Sequence, residues 1–312
     1  MALRKHFDIV ILTIFASIWG YYAYIKGLPI NIPDNESFLA VWLHYVHPLA
    51  VAVIIQILYV LVFRKKNIGS LIPYLYIPYI LAVVFMHFNF KAWTPLVNPV
   101  SYDVYYQQVD NYLWPVKQIF INIANFITLN GRINLSSFYN QMFVLMFFTS
   151  FTFHLIYDSL NNFRKVVIGV CLILLAGGIS YWICPAVGPF IFDTNVTAFT
   201  PIQQGMYKYY LIVCQQHIIP NGYFTAAPAA MPSLHIAHSY FLMIMALRTV
   251  KPLGYFYIAV FLGILFISVA SQWHYIIDIP FGLILSIGSI WIVDMVYSNC
   301  QVQKQKEIRL TI

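Results

Sequence analysis

Two short polar stretches in an otherwise apolar sequence contain residue types that can transfer protons and bind anions. The first, "MPSLHIAH", runs from Met231 to His238, and the second, "HYIID", runs from His274 to Asp278. His274 and Asp278 are four positions apart, so on a helix they share one face and the carboxylate reaches a ring nitrogen. Such a contact fixes the imidazole tautomer and stabilises its protonated form, as the orienting acid does in a catalytic triad. The pair therefore predicts a histidine that acts as a nucleophile or a base.

The first stretch predicts the start of a helix. Pro232 suits the first turn, the Ser233 hydroxyl can cap it, and His235 then lies in that turn. The free backbone N–H groups and the positive end of the helix dipole at such a start bind anions. Because ionisable groups buried in an apolar helix bundle are costly, His235, His274 and Asp278 are candidate functional residues.

The remaining histidines carry less information, because an isolated histidine on an apolar helix is more often a hydrogen-bonded packing residue than a catalyst. His238, one helical turn beyond His235, is intermediate between the two interpretations. The packing interpretation applies to His44, His47, His87, His154 and His217.

The composition indicates an integral membrane protein in which helices position these residues. Of the 312 residues, 61% are apolar and only 9% are charged, against about 25% charged in soluble domains. About 20 apolar residues cross the hydrocarbon region as a helix, because a helix satisfies its own backbone hydrogen bonds. We therefore predict an all-α integral membrane fold with about eight transmembrane helices. They cover residues 8–25, 38–63, 70–90, 138–158, 164–183, 233–249, 254–272 and 275–298.

The basic residues predict the orientation of these helices. If the amino terminus is cytoplasmic, every inner segment carries lysine or arginine, which is the pattern that sets topology. These basic positions are 4–5, 64–66, 164–165, 248–251 and 304–309. Both polar stretches then lie at the outer membrane face, and both termini are cytoplasmic. The net charge of +7 is mostly this topology signal, and without a clustered basic face it gives no support for a nucleic-acid partner.

Two long segments fall on the predicted outer side. Residues 91–137 include an apolar stretch interrupted by Lys117 and two asparagines, which predicts a helix that lies in the membrane interface. Residues 184–232 form an outer loop rich in proline, tyrosine, glutamine and glycine. This loop contains Cys184 and Cys214, which either form a disulfide in an oxidising compartment or remain two free thiols.

The two polar stretches resemble motifs of the type 2 phosphatidic acid phosphatase superfamily, and within it the branch of inositol phosphorylceramide synthases and their bacterial relatives. The family's Pro-Ser-Gly-His element is matched by Pro232-Ser233-Leu234-His235, and leucine in place of glycine resembles the inositolphosphotransferase branch. The family's His-x-x-x-Asp element is matched by His274 to Asp278, with Gly282 after it.

Two further segments are similar to that branch. "YWICPAVGPF", residues 181–190, is similar to the proline- and glycine-rich segment after its third core helix. "NPVSYDVYYQQVDNYLWP", residues 98–115, is similar to its interfacial segment with two spaced aspartates. The resemblance covers about residues 70–298. It implies a six-helix catalytic membrane domain over 70–298, preceded by two extra transmembrane helices in 1–69 and followed by a cytoplasmic tail, 299–312.

The resemblance also implies a mechanism without metal or cofactor. His274 attacks phosphorus and forms a phosphohistidine, Asp278 holds its other ring nitrogen, and His235 acts first as acid and then as base. The substrate is a phospholipid or sphingolipid, and no obligatory protein partner is implied. Water as acceptor makes a lipid phosphatase, whereas a lipid hydroxyl or an inositol makes a phosphotransferase; Leu234 favours the transferase, with phosphoinositol among the groups that can be moved.

The sequence departs from the family pattern at its cationic phosphate clamp. No convincing Lys-x6-Arg-Pro element is present, and Ile267 and Ser268 occupy the positions of a Ser-Arg pair. The substrate-binding candidates are Ser233 and the outer basic residues Lys91, Lys117, Arg132 and Lys208. Among these cations we predict Lys208 first, because it lies in the loop that leads to the catalytic helix, and Arg132 as a further candidate.

Two other function classes remain open at this point. The first is a metal-dependent membrane hydrolase with His235, His238, His274 and Asp278 as ligands. The second is a transporter or channel with these residues along its path, although the sequence shows no internal repeat of the kind common in transporters.

The active site is predicted on the exoplasmic side, which is periplasmic in a bacterial inner membrane and lumenal in a Golgi-type membrane.

Overall fold

A computed structural model of the chain describes residues 6–63, 72–192, 200–220 and 222–297, and all regular structure in these ranges is helical. The predicted all-α fold is confirmed. The main helices are α1 (Phe7–Gly20), α2 (Asn35–Val41), α3 (His47–Phe63), α4 (Ile72–Ala92), α5 (Thr94–Val97), α6 (Asp103–Tyr112), α7 (Trp114–Ile127), α8 (Leu135–Tyr157), α9 (Leu160–Ser180), α10 (Pro201–Gln216), α11 (Leu234–Thr249), α12 (Lys251–Ala270) and α13 (Asp278–Tyr297). The predicted cytoplasmic tail and the basic residues at 4–5, 64–66 and 304–309 lie outside the described residues.

Each of the eight predicted spans is a helix whose ends lie within a few residues of the prediction. Six of them are long and apolar enough to cross a membrane: Phe7–Ile25, Asn35–Tyr59, Pro73–Ala92, Leu160–Ser180, Lys251–Ala270 and Asp278–Tyr297. The first two include π-helical turns at Tyr21–Ile25 and Trp42–Val46. The other two predicted spans are α8, which carries several polar residues in its first turns, and α11, which has only 16 residues. That α8 and α11 cross the membrane stays a prediction.

Polar side chains at the start of several helices determine where those helices begin. The side chains of Asn134, Ser159, Thr200 and Ser233 each accept a hydrogen bond from a backbone N–H in the first turn of the helix that follows. An N-terminal cap of this kind satisfies one of the four N–H groups that have no partner within the helix. The predicted capping role of Ser233 is therefore confirmed.

Helix α11 lies at the centre of the bundle, where it packs against α8, α9, α12 and α13. Glycines of α9 allow its close approach: a Cβ on Gly169 would clash with the ring of Phe241, and one on Gly177 would clash with the Leu234 side chain. Small residues commonly permit such close helix contacts in membrane proteins. The helix that carries His235 is consequently packed closely against four other helices.

Ion pairs tie the helices together at the end of the bundle opposite to His235. Arg164 pairs with Asp8 at 3.1 Å, and Lys165 and Arg248 pair with Asp294 at 3.0 and 2.6 Å. This is the end that the basic residues predict to be cytoplasmic. Its polar side chains join the start of α9 to α1 and to the ends of α11 and α13.

The two long segments predicted on the outer side cover the other end of the bundle. Residues 91–137 contain α6 and α7, and the Phe120 ring of α7 packs 5.0 Å from the Phe266 ring of α12. Residues 184–232 contain α10 and a 3-10 turn, and residues 193–199 and 221 of this loop lie outside the described residues. Cys184 and Cys214 are free thiols, so the disulfide that the sequence left open is not formed in this structure.

The contact between α9 and α11 can be tested with a pair of glycine variants. Gly169→Ala would press a methyl group into the Phe241 ring, and overpacking of this kind costs about 1–3 kcal/mol. We expect a lower melting temperature in detergent. The control is Gly288→Ala in α13, where nothing lies within 4 Å of the added Cβ, so its melting temperature should not fall. Equal stability of the two variants would contradict the proposed packing.

Candidate active site

His274 and Asp278 are in contact, but not because both lie on a helix. Asp278 is the first residue of α13, whereas His274 lies in the turn before it. The contact forms because the Asp278 N–H donates to the Tyr275 carbonyl at 3.1 Å, which folds the chain back on itself. The predicted helical register was therefore wrong, although the predicted pairing of the two side chains is present.

The hydrogen bonds of His274 indicate which ring nitrogen is free to react. Its Nδ1 lies 2.8 Å from the Ala230 carbonyl oxygen and 3.2 Å from Oδ2 of Asp278. Both neighbours are acceptors, so Nδ1 carries the proton and donates to them, and the unprotonated nitrogen is Nε2. The side chain of Asp278 is fully buried, and its Oδ2 also accepts the Tyr275 N–H at 2.9 Å. Its Oδ1 has no hydrogen-bond partner among the described residues.

His235 lies in the first turn of α11, as predicted. Its ring packs against Tyr139 and Phe143 of α8, with centroid distances of 4.6 and 4.4 Å. The His235 and His274 ring centroids are 6.2 Å apart. The two imidazoles thus face a common space from the starts of two different helices.

The backbone holds the two polar stretches together. The Ser233 N–H donates to the Asp278 carbonyl oxygen at 3.3 Å, and a Cβ on Gly282 would lie only 2.5 Å from the Ser233 carbonyl oxygen. Glycine at 282 therefore permits the start of α13 to lie directly against the start of α11. The prediction that both stretches share one end of the bundle agrees with this geometry.

The space between the histidines is a cavity of about 160 Å³. His235 and His274 line it together with Lys91, which lies at the end of α4, and with aromatic residues from several helices. No described carboxylate lies within ion-pair distance of Lys91. The aromatic and histidine residues that also line the cavity are Tyr45, His87, Phe88, Tyr139, Tyr181 and Trp273.

One comparison with known proteins identifies the family of the chain. The sequence model of the PAP2 (type 2 phosphatidic acid phosphatase) superfamily matches residues 130–292, a region that contains both histidine motifs. This chain belongs to the PAP2 superfamily. Searches of curated proteins and of solved structures found no match. PAP2 proteins are generally lipid phosphatases or phosphotransferases, so membership suggests one of these activities.

The cationic element of PAP2 proteins has a partial counterpart in this chain. The spacing of Lys-x6-Arg-Pro is met by Lys91, Asn98 and Pro99, with asparagine in place of the arginine. The Asn98 amide donates to the Trp182 carbonyl at 2.9 Å and its oxygen accepts the Val100 N–H, so the side chain supports the backbone. A search for the spacing without a strict arginine would have singled out Lys91.

The other cations proposed from sequence lie elsewhere in this PAP2 protein. Lys208 and Arg132 are exposed, and neither belongs to the lining of the cavity. Their role in substrate binding stays a prediction. Lys117 is engaged in an ion pair with Asp110 at 2.8 Å.

His238 and Leu234 pack against neighbouring helices. The two ring nitrogens of His238 lie 2.8 Å from the Leu234 carbonyl oxygen and 3.2 Å from that of Val170, and the side chain is buried. This agrees with a packing role. The Leu234 side chain lies against Gly177 of α9 and lines the cavity beside His235.

The described residues contain no group of three or more His, Cys, Asp or Glu side chains close enough to hold a metal ion. The four ligands of the metal-dependent hydrolase therefore do not converge. His238 lies among backbone carbonyls instead, away from the cavity that His235 and His274 share.

A second cavity, of about 360 Å³, is lined in part by the same helices as the first. Helices α8 and α10 contribute to both cavities: Ser136 and Gln203 line the second, while Tyr139 and Met206 line the first. The described lining of the second cavity contains no charged side chain. Its polar groups are hydroxyls and amides, from Asn134, Ser136, Thr200, Gln203, Ser271 and Gln272.

Proposed function

We propose that the chain is a membrane phosphotransferase that moves a phosphoryl group or a phospho-headgroup between lipids through a phosphohistidine at the predicted outer membrane face. The observation that carries this proposal is the placement of His274, with its Asp278 partner, and His235 around one cavity that also contains Lys91. Nucleophile, orienting acid, proton donor and cation are the groups that a double-displacement phosphoryl transfer needs.

In the first step, the Nε2 lone pair of His274 attacks phosphorus and the bond from phosphorus to the leaving oxygen breaks. His235 gives its proton to that oxygen. The Nδ1–H of His274 keeps its bonds to Asp278 and to the Ala230 carbonyl, so the positive charge that develops on the ring faces a carboxylate. In the second step, His235 takes the proton of the acceptor hydroxyl, the acceptor oxygen attacks phosphorus, and the bond from phosphorus to Nε2 breaks.

Charge on the phosphoryl oxygens is stabilised from two directions. The start of α11 offers backbone N–H groups and the positive end of the helix dipole beside His235. Lys91 offers an ammonium group from the lining of the same cavity. Electrostatic stabilisation of this kind is commonly the largest contribution to such transfers.

The second cavity supports an alcohol acceptor over water. Its uncharged hydroxyl and amide lining suits a neutral hydroxylated group, and helices α8 and α10 contribute both to it and to the cavity of the two histidines. Leu234 in the Pro-Ser-Leu-His element favours the same choice. A lipid phosphate phosphatase that uses water is the alternative, and the same residues would carry out its first step.

Substitution of the nucleophile is the central test. We expect His274→Ala to abolish turnover of a labelled phospholipid by the purified protein in detergent, because no phosphohistidine can form. His217→Asn is the control: His217 is exposed and has a left-handed backbone conformation, φ 55°, that asparagine tolerates. Wild-type activity in His274→Ala, with a normal melting temperature, would refute the assignment of the nucleophile.

The same assay separates the other function classes. Activity that survives exhaustive chelation excludes the metal-dependent hydrolase. Turnover by protein in detergent, where no gradient exists, is not expected of a transporter. Identification of the phosphorus-containing product with and without ceramide, diacylglycerol or inositol distinguishes transferase from phosphatase.

The cation in the cavity can be identified by comparing two lysines. We expect Lys91→Met to lower kcat/KM by about 10²–10³, the usual effect of removing one group that stabilises a developing negative charge. Lys208→Met should leave kcat/KM within about twofold, because Lys208 is exposed and outside the cavity lining. The reverse result would assign phosphate binding to Lys208.

The acceptor route, in which an alcohol acceptor binds in the second cavity, can be tested by filling that cavity. Ser136→Phe places a ring in this cavity, and we expect less transfer to an added alcohol acceptor while release of phosphate to water persists. Ser137→Phe is the matched control, since Ser137 is exposed on the same helix and does not line the cavity. The ratio of transfer product to free phosphate is the measurement, and an equal ratio in both variants would contradict the acceptor route.

A further inference from the structure

Two buried aspartates lie on the short helix α6, outside the residues that touch the cavity. Asp103 is its first residue and Asp110 lies in its last turn, seven positions on and therefore on the same face. Their exposures are 1% and 0%. A buried carboxylate is costly unless hydrogen bonds or a cation satisfy it, so the partners of these two side chains show what the burial achieves.

Asp103 joins the outer loop at Val187 and Gly188 to the turn that contains Tyr275. Its carboxylate accepts the N–H groups of Val187 and Gly188, at 2.8–3.0 Å, and the hydroxyl of Tyr275 at 2.7 Å. The Ser101 hydroxyl is a further donor. Burial, together with the charge of Asp103, raises the pKa of Tyr275 well above its usual value, so the phenol keeps the proton that it donates.

Asp110 joins α6 to Ile276, the residue after Tyr275 in the turn between His274 and Asp278. Its Oδ1 accepts the N–H of Ile276 at 2.9 Å, and its Oδ2 pairs with the Lys117 ammonium at 2.8 Å. Lys117 lies in the second turn of the following helix, α7, so a cation from one helix balances a carboxylate from the other.

One partner of each aspartate lies between the proposed nucleophile and its orienting acid. These two partners, Tyr275 and Ile276, follow His274 and precede Asp278, and the Tyr275 N–H donates to Asp278 itself. The turn is therefore held by three carboxylates, one within it and two from α6. The direction of the His274 ring depends on Asp278, and the position of Asp278 depends on this turn.

We infer that Asp103 and Asp110 are positioning residues, which hold the turn from His274 to Asp278 so that Nε2 of His274 faces the phosphorus atom. This inference rests on the proposed function for its kinetic test. Displacement of a reacting group by about 1 Å can cost about 10² in rate. A loss of the α6 contacts should therefore act on kcat more than on KM.

The kinetic test uses Tyr275→Phe, which removes only the donor to Asp103, and a comparison at position 110. Asp110→Ala removes the acceptor for Ile276, whereas Asp110→Asn keeps an oxygen there. We expect Tyr275→Phe and Asp110→Ala to lower kcat by about 10-fold to 100-fold with KM within twofold, and Asp110→Asn to recover most of kcat. The control is Asp158→Ala at the opposite end of the bundle, which removes the partner of His154.

A merely structural role predicts a different result. If Asp158→Ala lowers the melting temperature as much as the α6 and Tyr275 variants do, and also lowers kcat as much, then loss of stability explains the effect. That result overturns the inference. Unchanged kcat in Tyr275→Phe overturns it as well, and this variant decides the matter if the Asp110 variants do not fold.

A second measurement does not depend on the proposed activity. Diethyl pyrocarbonate acylates an unprotonated imidazole nitrogen, and mass spectrometry gives the rate at His274 relative to the exposed His217 of the same molecule. We expect this ratio to change at least threefold in Tyr275→Phe, and an unchanged ratio overturns the inference. A changed ratio in a protein that turns over no phospholipid would instead refute the proposed function and leave the positioning of His274 supported.

Discussion

The site depends on the contact between the first residues of α11 and α13. One backbone hydrogen bond, from Ser233 to Asp278, joins them, and Gly282 leaves the space for it. His235 follows Ser233 by two positions, and His274 precedes Asp278 by four. The separation of the two imidazoles is thus determined by main-chain atoms, which have little conformational freedom in a packed bundle, rather than by the long flexible side chains that line other parts of the cavity.

Much of this arrangement could be predicted because it depends on local patterns. Runs of about 20 apolar residues predict spans in any bilayer, and Ser233 is a typical helix cap. Contacts between distant segments could not be predicted in the same way. Lys91 is separated from His235 by more than 140 positions, and its spacing element carries Asn98 where the family pattern has arginine. The structure places it in the cavity because the last turn of α4 lines the same space as the start of α11.

The contact of His274 with Asp278 shows a second limit of sequence patterns. A separation of four positions is typical of one helix face, yet the chain achieves the same pairing with a turn. A turn leaves more peptide N–H groups without helical partners, and these have to be satisfied by side chains. The two aspartates of "NPVSYDVYYQQVDNYLWP" are suited to that task, but nothing in their spacing shows that their partners lie more than 160 positions away.

The volume of the cavity between His235 and His274 constrains what the proposed function can place there. At about 160 Å³ it is smaller than the pockets of roughly 300–1,000 Å³ that enclose drug-sized ligands. In the proposed reaction, a phosphate and a small part of its headgroup would fill such a space, and the acyl chains would stay outside it. The cavity would then select the polar end of the lipid, and any selection of the acyl chains would have to come from surfaces outside the cavity.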